Sequence, residues 1–209
     1  MTHKFVKMHG LGNDFVILDT RSNPFMPTAA QVRHLSDRRY GVGCDQLIVL
    51  SKSDDPAVDA FMHIFNADGG EVEACGNATR CVGSLLTLES KRQAQVLKTK
   101  VGILSTTTQN GETLVDMGIP SQDWQVIGLS KQVDTLYLPV HVTDLDAPAA
   151  VSVGNPHMVF FVNDIMTVDI ERFGHELSRH PLYLQGTNVE IVEILSPSHI
   201  RMRVWERGT

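Results

Sequence analysis

Apolar residues in this chain fall into short runs rather than long helical stripes. Phe15-Val16-Ile17-Leu18, Leu47-Ile48-Val49-Leu50 and Ala60-Phe61-Met62-His63-Ile64-Phe65 are each of strand length. Residues 104–108 and 113–117 flank Asn110-Gly111, a pair that tolerates positive φ and predicts a hairpin. Helical signals are fewer. Thr28-Ala29-Ala30-Gln31 has capping-box form and predicts a helix running to about Tyr40. A second is predicted from Asn77 to about Lys91, with Cys81, Val82, Leu85 and Leu86 on its apolar side. A third, capped by Asp169, carries Ile170, Phe173 and Leu177 on one face until Pro181. Strands outnumber helices and hairpins outnumber βαβ units, which predicts an α+β fold with mainly antiparallel sheets.

The pattern repeats. Gly12-Asn13 precedes the run at 15–18, and Gly154-Asn155 precedes the run at 158–162. Helix starts follow, near Thr28 and Asp169, at similar distances. Then come Gly43-Cys44-Asp45-Gln46-Leu47 and Gly186-Thr187-Asn188-Val189, each a glycine turn, a side-chain amide and a strand. The stretches 64–69 and 203–208 close each half. Four matches in one order predict two lobes of one design, 1–120 and 121–209.

Composition narrows the setting. Apolar content of 42% and charged content of 20% over 209 residues are those of an ordinary globular protein. A net charge of −6, with no basic cluster beyond Arg38-Arg39, argues against a nucleic-acid partner. Met158-Val159-Phe160-Phe161-Val162 is far too short to span a bilayer, and the N-terminus has no secretory apolar stretch. Three irregularly spaced cysteines form no disulfide framework, which points to a reducing cytoplasm.

The chemistry concentrates in residues 65–80. Cys75 stands between a polar, glycine-rich loop (Ala67-Asp68-Gly69-Gly70) and a helix start. There the helix dipole and unpaired N–H groups favour a thiolate and can also hold a carboxylate. Proton abstraction beside a carboxylate is one reading, and a small buried cysteine after a turn is the other. Asn13, Asn66, Asn155 and Asn188 all lie near glycines, where each can equally be a turn residue. The histidines show no metal-ligand spacing, so no metal is assigned. Gly10-Leu11-Gly12 and Gly41-Val42-Gly43 read as turns. If the repeat holds, a partner for Cys75, which lies 63 residues after Gly12, belongs near position 217, beyond Thr209.

Taken together, several blocks resemble the diaminopimelate epimerase family. They are Lys7-Met8-His9-Gly10-Leu11-Gly12-Asn13-Asp14-Phe15, Arg39-Tyr40-Gly41-Val42-Gly43-Cys44-Asp45-Gln46, Phe65-Asn66-Ala67-Asp68-Gly69, Ala74-Cys75-Gly76-Asn77-Ala78-Thr79-Arg80, Gly154-Asn155-Pro156-His157 and Gly186-Thr187-Asn188-Val189-Glu190. The resemblance implies two pseudo-symmetric lobes, each a sheet wrapped around a central helix. It implies a pyridoxal-phosphate-independent, cofactor-free enzyme that interconverts LL- and meso-diaminopimelate, on the way to lysine and peptidoglycan, with two cysteines on opposite faces of the α-carbon. On this pattern Cys75 is one of them, and His157 and Glu206 assist. The pattern also implies that Gly76 and Asn77 cradle the reacting carboxylate. Asn13, Gln46, Asn66, Asn155, Asn188, Glu206 and Arg207 are implied to hold the rest of the substrate. The family is usually homodimeric. The chain departs from the pattern by stopping at Thr209, before the segment that carries the second cysteine. The second lobe is therefore expected to be incomplete, to expose apolar strand faces and to be less ordered, and the chain to be inactive or nearly so. A shortened amino-acid-binding protein and a proline racemase or phenazine-pathway isomerase on the same fold are the competing readings.

Overall fold

A computed structural model describes residues 3–143 and 145–207. The chain forms two compact units, Met1–Gly118 and Ile119–Thr209. In the first, the strands are β1 (Phe5–Gly10), β2 (Asn13–Asp19), β3 (Gln46–Ser51), β4 (Ala60–Asn66), β5 (Glu71–Val72), β6 (Ala94–Thr99), β7 (Gly102–Gln109) and β8 (Glu112–Asp116). Its helices are α1 (Ala29–Ser36) and α2 (Gly76–Ser90). The strands run in the order β1-β2-β3-β4-β6-β7-β8, with β5 on β4. Pairings are antiparallel except β2 with β3 and β4 with β6. The α+β expectation holds.

Both faces of this sheet are core. Phe15, Ile17, Ile48, Leu50, Met62 and Ile64 meet Ala78, Cys81, Val82 and Leu86 of α2. Val16, Leu18, Leu47, Val49 and Phe65 meet Val32 and Leu35 of α1 on the other face. Alternation along each strand sends successive side chains to opposite layers, which is why fully apolar runs are needed here. The capping box at Thr28 and Gln31 forms as predicted. The helix ends at Ser36 rather than near Tyr40. The Asp37 carboxylate accepts from the N–H groups of Arg39 and Tyr40 at 2.7 and 2.8 Å, an arrangement that competes with helix continuation. Asn110 (φ 53) and Gly111 (φ 81) make the predicted hairpin turn between β7 and β8.

The second unit contains α3 (Trp124–Ile127), β9 (His141–Val142), β10 (Leu145–Asp146), β11 (Ala149–Ser152), β12 (Pro156–Val162), a 3-10 turn (Ile165–Thr167), α4 (Ile170–Leu177), β13 (Asn188–Ser196) and β14 (His199–Trp205). The main sheet has the order β11-β12-β13-β14. The pairing sequence is antiparallel, parallel, antiparallel, the same as in β1-β2-β3-β4. The internal repeat is therefore structural. Gly12 (φ 93) and Gly154 (φ 101) take matching left-handed conformations, as do Gly43 (φ 78) and Gly186 (φ 74).

This unit has its own core on the face that α4 covers. Met158, Phe160, Val189 and Ile191 pack with Ile127, Leu138, Ile170 and Leu177, and Trp205 borders them. The opposite face includes Phe161 (61% exposed), Ile194 (61%), Ile200 (54%) and Met202 (54%). The exposed apolar strand face expected from the sequence is present, alongside a well-packed one.

Candidate active site

Cys75 is the N-cap of α2, with extended backbone (φ −149, ψ 109). Its sulfur accepts the Ala78 N–H at 3.5 Å, as a capping oxygen would in the commoner serine or aspartate. The Thr79 hydroxyl donates to the Cys75 carbonyl at 2.9 Å and steadies the first turn. Asn13 Nδ2 approaches Cys75 Sγ at 4.0 Å. The chain reaches this place through the two-residue turn between β1 and β2, in which Gly10 pairs with Asn13. A Cβ at Gly10 would lie 3.2 Å from Asn77 Cβ and 3.3 Å from Asn77 O, so the turn rests directly on the start of α2. Asn13, Cys75, Gly76 and Asn77 are thus brought together.

The other two cysteines are buried. Burial pushes both the Cys44 and the Cys81 thiol up, and Cys44 donates to the Ser36 hydroxyl at 3.5 Å. Cys75, which is partly exposed, is the thiol of this unit suited to proton transfer.

Gln46 and Asn66 face each other across β3 and β4, with Gln46 Nε2 donating to Asn66 Oδ1 at 2.9 Å. Phe15 is the neighbour of Gln46 on β2, so Phe15, Gln46 and Asn66 form one row across three strands on the α2 face. Asn13 Oδ1 and Gln46 Oε1 are buried acceptors with no hydrogen-bond partner among the described residues. Two orphaned amide oxygens in one region are costly unless a donor arrives from outside the chain, and a substrate ammonium group has the right chemistry.

The second unit repeats the row. His157 is the neighbour of Asn188, and Glu206, the residue after β14, is next in that register. His157, Asn188 and Glu206 therefore stand where Phe15, Gln46 and Asn66 stand in the first unit. His157 is held at both ring nitrogens, by Glu190 Oε1 at Nδ1 (2.6 Å) and Asn155 Oδ1 at Nε2 (2.9 Å). The Tyr183 hydroxyl donates to the His157 carbonyl at 3.2 Å. Asn188 Oδ1 accepts the backbone N–H of Arg207 at 2.8 Å, and the Arg207 guanidinium donates to the Gln185 carbonyl at 3.1 Å. Burial pushes the Glu206 carboxyl up and so does the Glu190 charge, while His157 pulls it down. Glu206 has surface in contact with water, but protein crowding removes part of its hydration.

Glu190 is the residue that the sequence reading missed. It is 5% exposed, and its second oxygen has no partner among the described residues. The signal was present, since an acid interrupts the apolar run Val189-Glu190-Ile191-Val192. Also missed was a charged clasp beside Asn13 and Gln46. Asp14 N donates to Asp45 Oδ2 and Asp45 N to Asp14 Oδ1, both at 2.9 Å, while Arg38 binds both carboxylates. The Arg38 guanidinium holds the Asp14 carboxyl well below the usual range, with Lys7 assisting. Among the described residues, no group of three His, Cys, Asp or Glu side chains is placed to hold a metal ion. No described helix is long and apolar enough to cross a membrane.

With this geometry in place, solved structures show where the fold recurs. A hydroxyproline epimerase from Agrobacterium vitis matches 97% of the chain and 69% of its own length, with a TM-score of 0.65 and 13% identity. A probable proline racemase from Agrobacterium radiobacter gives a TM-score of 0.66 over 97% of the chain and 70% of its own, at 14% identity. At such identities the likeness is one of fold, that of the two-lobed epimerases and racemases. Sequence then gives the family. Residues 5–122 and 149–209 match the diaminopimelate epimerase family. The diaminopimelate epimerase of Rhodospirillum centenum is 47% identical over all of this chain and 72% of its own length. That of Phenylobacterium zucineum is 49% identical, over all of this chain and 76% of its own. The chain belongs to the diaminopimelate epimerase family.

Proposed function

We propose that this chain serves as a diaminopimelate epimerase, with Cys75 as one of the two acid–base groups at the α-carbon. The observation that carries the reading is a partly exposed thiol capping α2, beside the Gly76 and Asn77 N–H groups. The substrate α-carboxylate binds those N–H groups at the positive end of the helix. Cys75 takes the α-proton: the Cα–H bond breaks, an S–H bond forms, and the electron pair moves into the carboxylate. The developing charge is met by donors already in place, which is where most of the rate gain arises. The family resemblance implies a second cysteine on the opposite face of the α-carbon, which returns a proton there. No pyridoxal phosphate or metal enters this scheme.

The family resemblance assigns Asn13, Gln46, Asn66, Asn155, Asn188 and Arg207 to the distal amino and carboxylate groups of the substrate. Neutral amides suit a zwitterion because they orient it without adding net charge, and Arg207 adds a charged fork. The His157–Glu190 pair and Glu206 support proton transfer. A cytoplasmic homodimer supplying lysine and peptidoglycan precursors completes the proposal.

Incubation with LL- and meso-diaminopimelate in deuterated water tests it by proton NMR. Exchange at one α-centre is expected, and Cys75→Ser should lower its rate about 10²–10⁴-fold. An unchanged rate in the variant removes Cys75 from the chemistry.

A further inference from the structure

The turn between β1 and β2 contains a leucine where the backbone does not favour one. Leu11 has φ 55 and Gly12 φ 93, so both central residues of this two-residue hairpin are left-handed, as a type I′ turn requires. Asn-Gly is the preferred pair for such a turn, and Asn110-Gly111 supplies it elsewhere in the same sheet. A branched apolar side chain at positive φ is strained. Leu11 is also 87% exposed, so burial in its own fold does not offset that strain. Neither backbone preference nor core packing accounts for the residue.

Its position does. Two residues on, Asn13 offers Nδ2 to the Cys75 sulfur, and one residue back, Gly10 lies against Asn77. The turn is thereby seated on the carboxylate cradle with an apolar side chain at its tip. Removing an α-proton with a thiolate demands that water be kept from the reacting atoms, because hydration levels the base and screens the stabilising dipoles.

We propose that Leu11 is a positioning and water-excluding residue: with substrate on the cradle, its side chain is buried against the ligand and seals Cys75 from solvent. The role rests on the epimerase reading above. Strain held at a site and repaid on binding is a known use of unfavourable backbone conformations.

The proposal makes stability and function move in opposite directions. Leu11→Asn relieves the backbone and should raise the thermal midpoint by about 2–4 °C. It should also lower Cys75-dependent α-proton exchange about tenfold, mostly through kcat, since the leucine makes no polar contact with substrate. Leu11→Met keeps the apolar cover and should retain most of the exchange rate. Leu11→Ala keeps the left-handed strain but loses the cover, so exchange should fall with no gain in midpoint. Full exchange in Leu11→Asn, or parallel losses of midpoint and exchange across all three variants, overturns the sealing role while leaving Cys75 in place. Absence of exchange in the unaltered protein overturns the epimerase reading itself, and the role of Leu11 with it.

Discussion

The two units share a blueprint and differ in one layer. Strands β1 to β4 and β11 to β14 have the same order, the same pairing and glycines of matching φ at their turns. In each, one sheet face is closed by the helix of the parallel crossover, α1 or α4. The other face differs. In the first unit α2 fills it, and Ile17, Ile48 and Ile64 are at most 1% exposed. In the second the equivalent positions hold Val159, Glu190 and Val204, and the row beyond them exposes Phe161 and Met202. The comparison teaches that strand order and turn chemistry repeat independently of what covers a sheet. It also shows that Glu190 stands where the first unit has a core isoleucine. An acid is tolerated there because it is bound to His157.

The sharpest way to break this comparison is a matched pair of truncations. Leu86→Ala, on α2 inside the first core, should cost about 2–5 kcal/mol. Met202→Ala, on the open face, should stay within about 0.5 kcal/mol. Urea denaturation measures both, and similar losses would mean that the second face is not open.

Next in size is Gly174→Ala. A Cβ there would collide with the Trp205 ring, which lies between α4 and β14. Overpacking of this kind costs about 1–3 kcal/mol and should show in the melting of the second unit. A variant as stable as the parent would place the ring elsewhere.

The smallest effect concerns the clasp at Asp14, which has no counterpart in the second unit because Pro156 occupies the matching position. The folded-state value of Asp14 is depressed by Arg38, so its contribution is present above the unfolded carboxylate range and lost as pH falls through the folded value. Arg38→Gln should therefore be less stable than the parent at pH 7. The gap should narrow steadily below about pH 4. Stability curves of equal separation at pH 7 and at about pH 2 would remove the clasp as the cause.

Local patterns carried much of this protein into view. The strand runs, the Thr28 capping box, the Asn110-Gly111 hairpin and the helix start after Cys75 all depend on a few neighbouring residues, and all formed where expected. The end of α1 was less legible, because Asp37 can cap a turn as readily as continue a helix. Glu190 was legible only as an interruption, since its partner His157 lies 33 positions earlier in the chain.

The sequence by itself determined the repeat, the α+β class, the thiol at a helix start and membership in a family, because these reside in short motifs and their order. Tertiary structure decided which thiol is accessible, which amide oxygens lack a donor among the described residues, and that His157 is held by Glu190 and Asn155. It also decided that Leu11 takes a left-handed conformation in an exposed turn resting on the start of α2. Burial and hydrogen bonding are properties of residues distant in sequence, and only the folded chain brings them together.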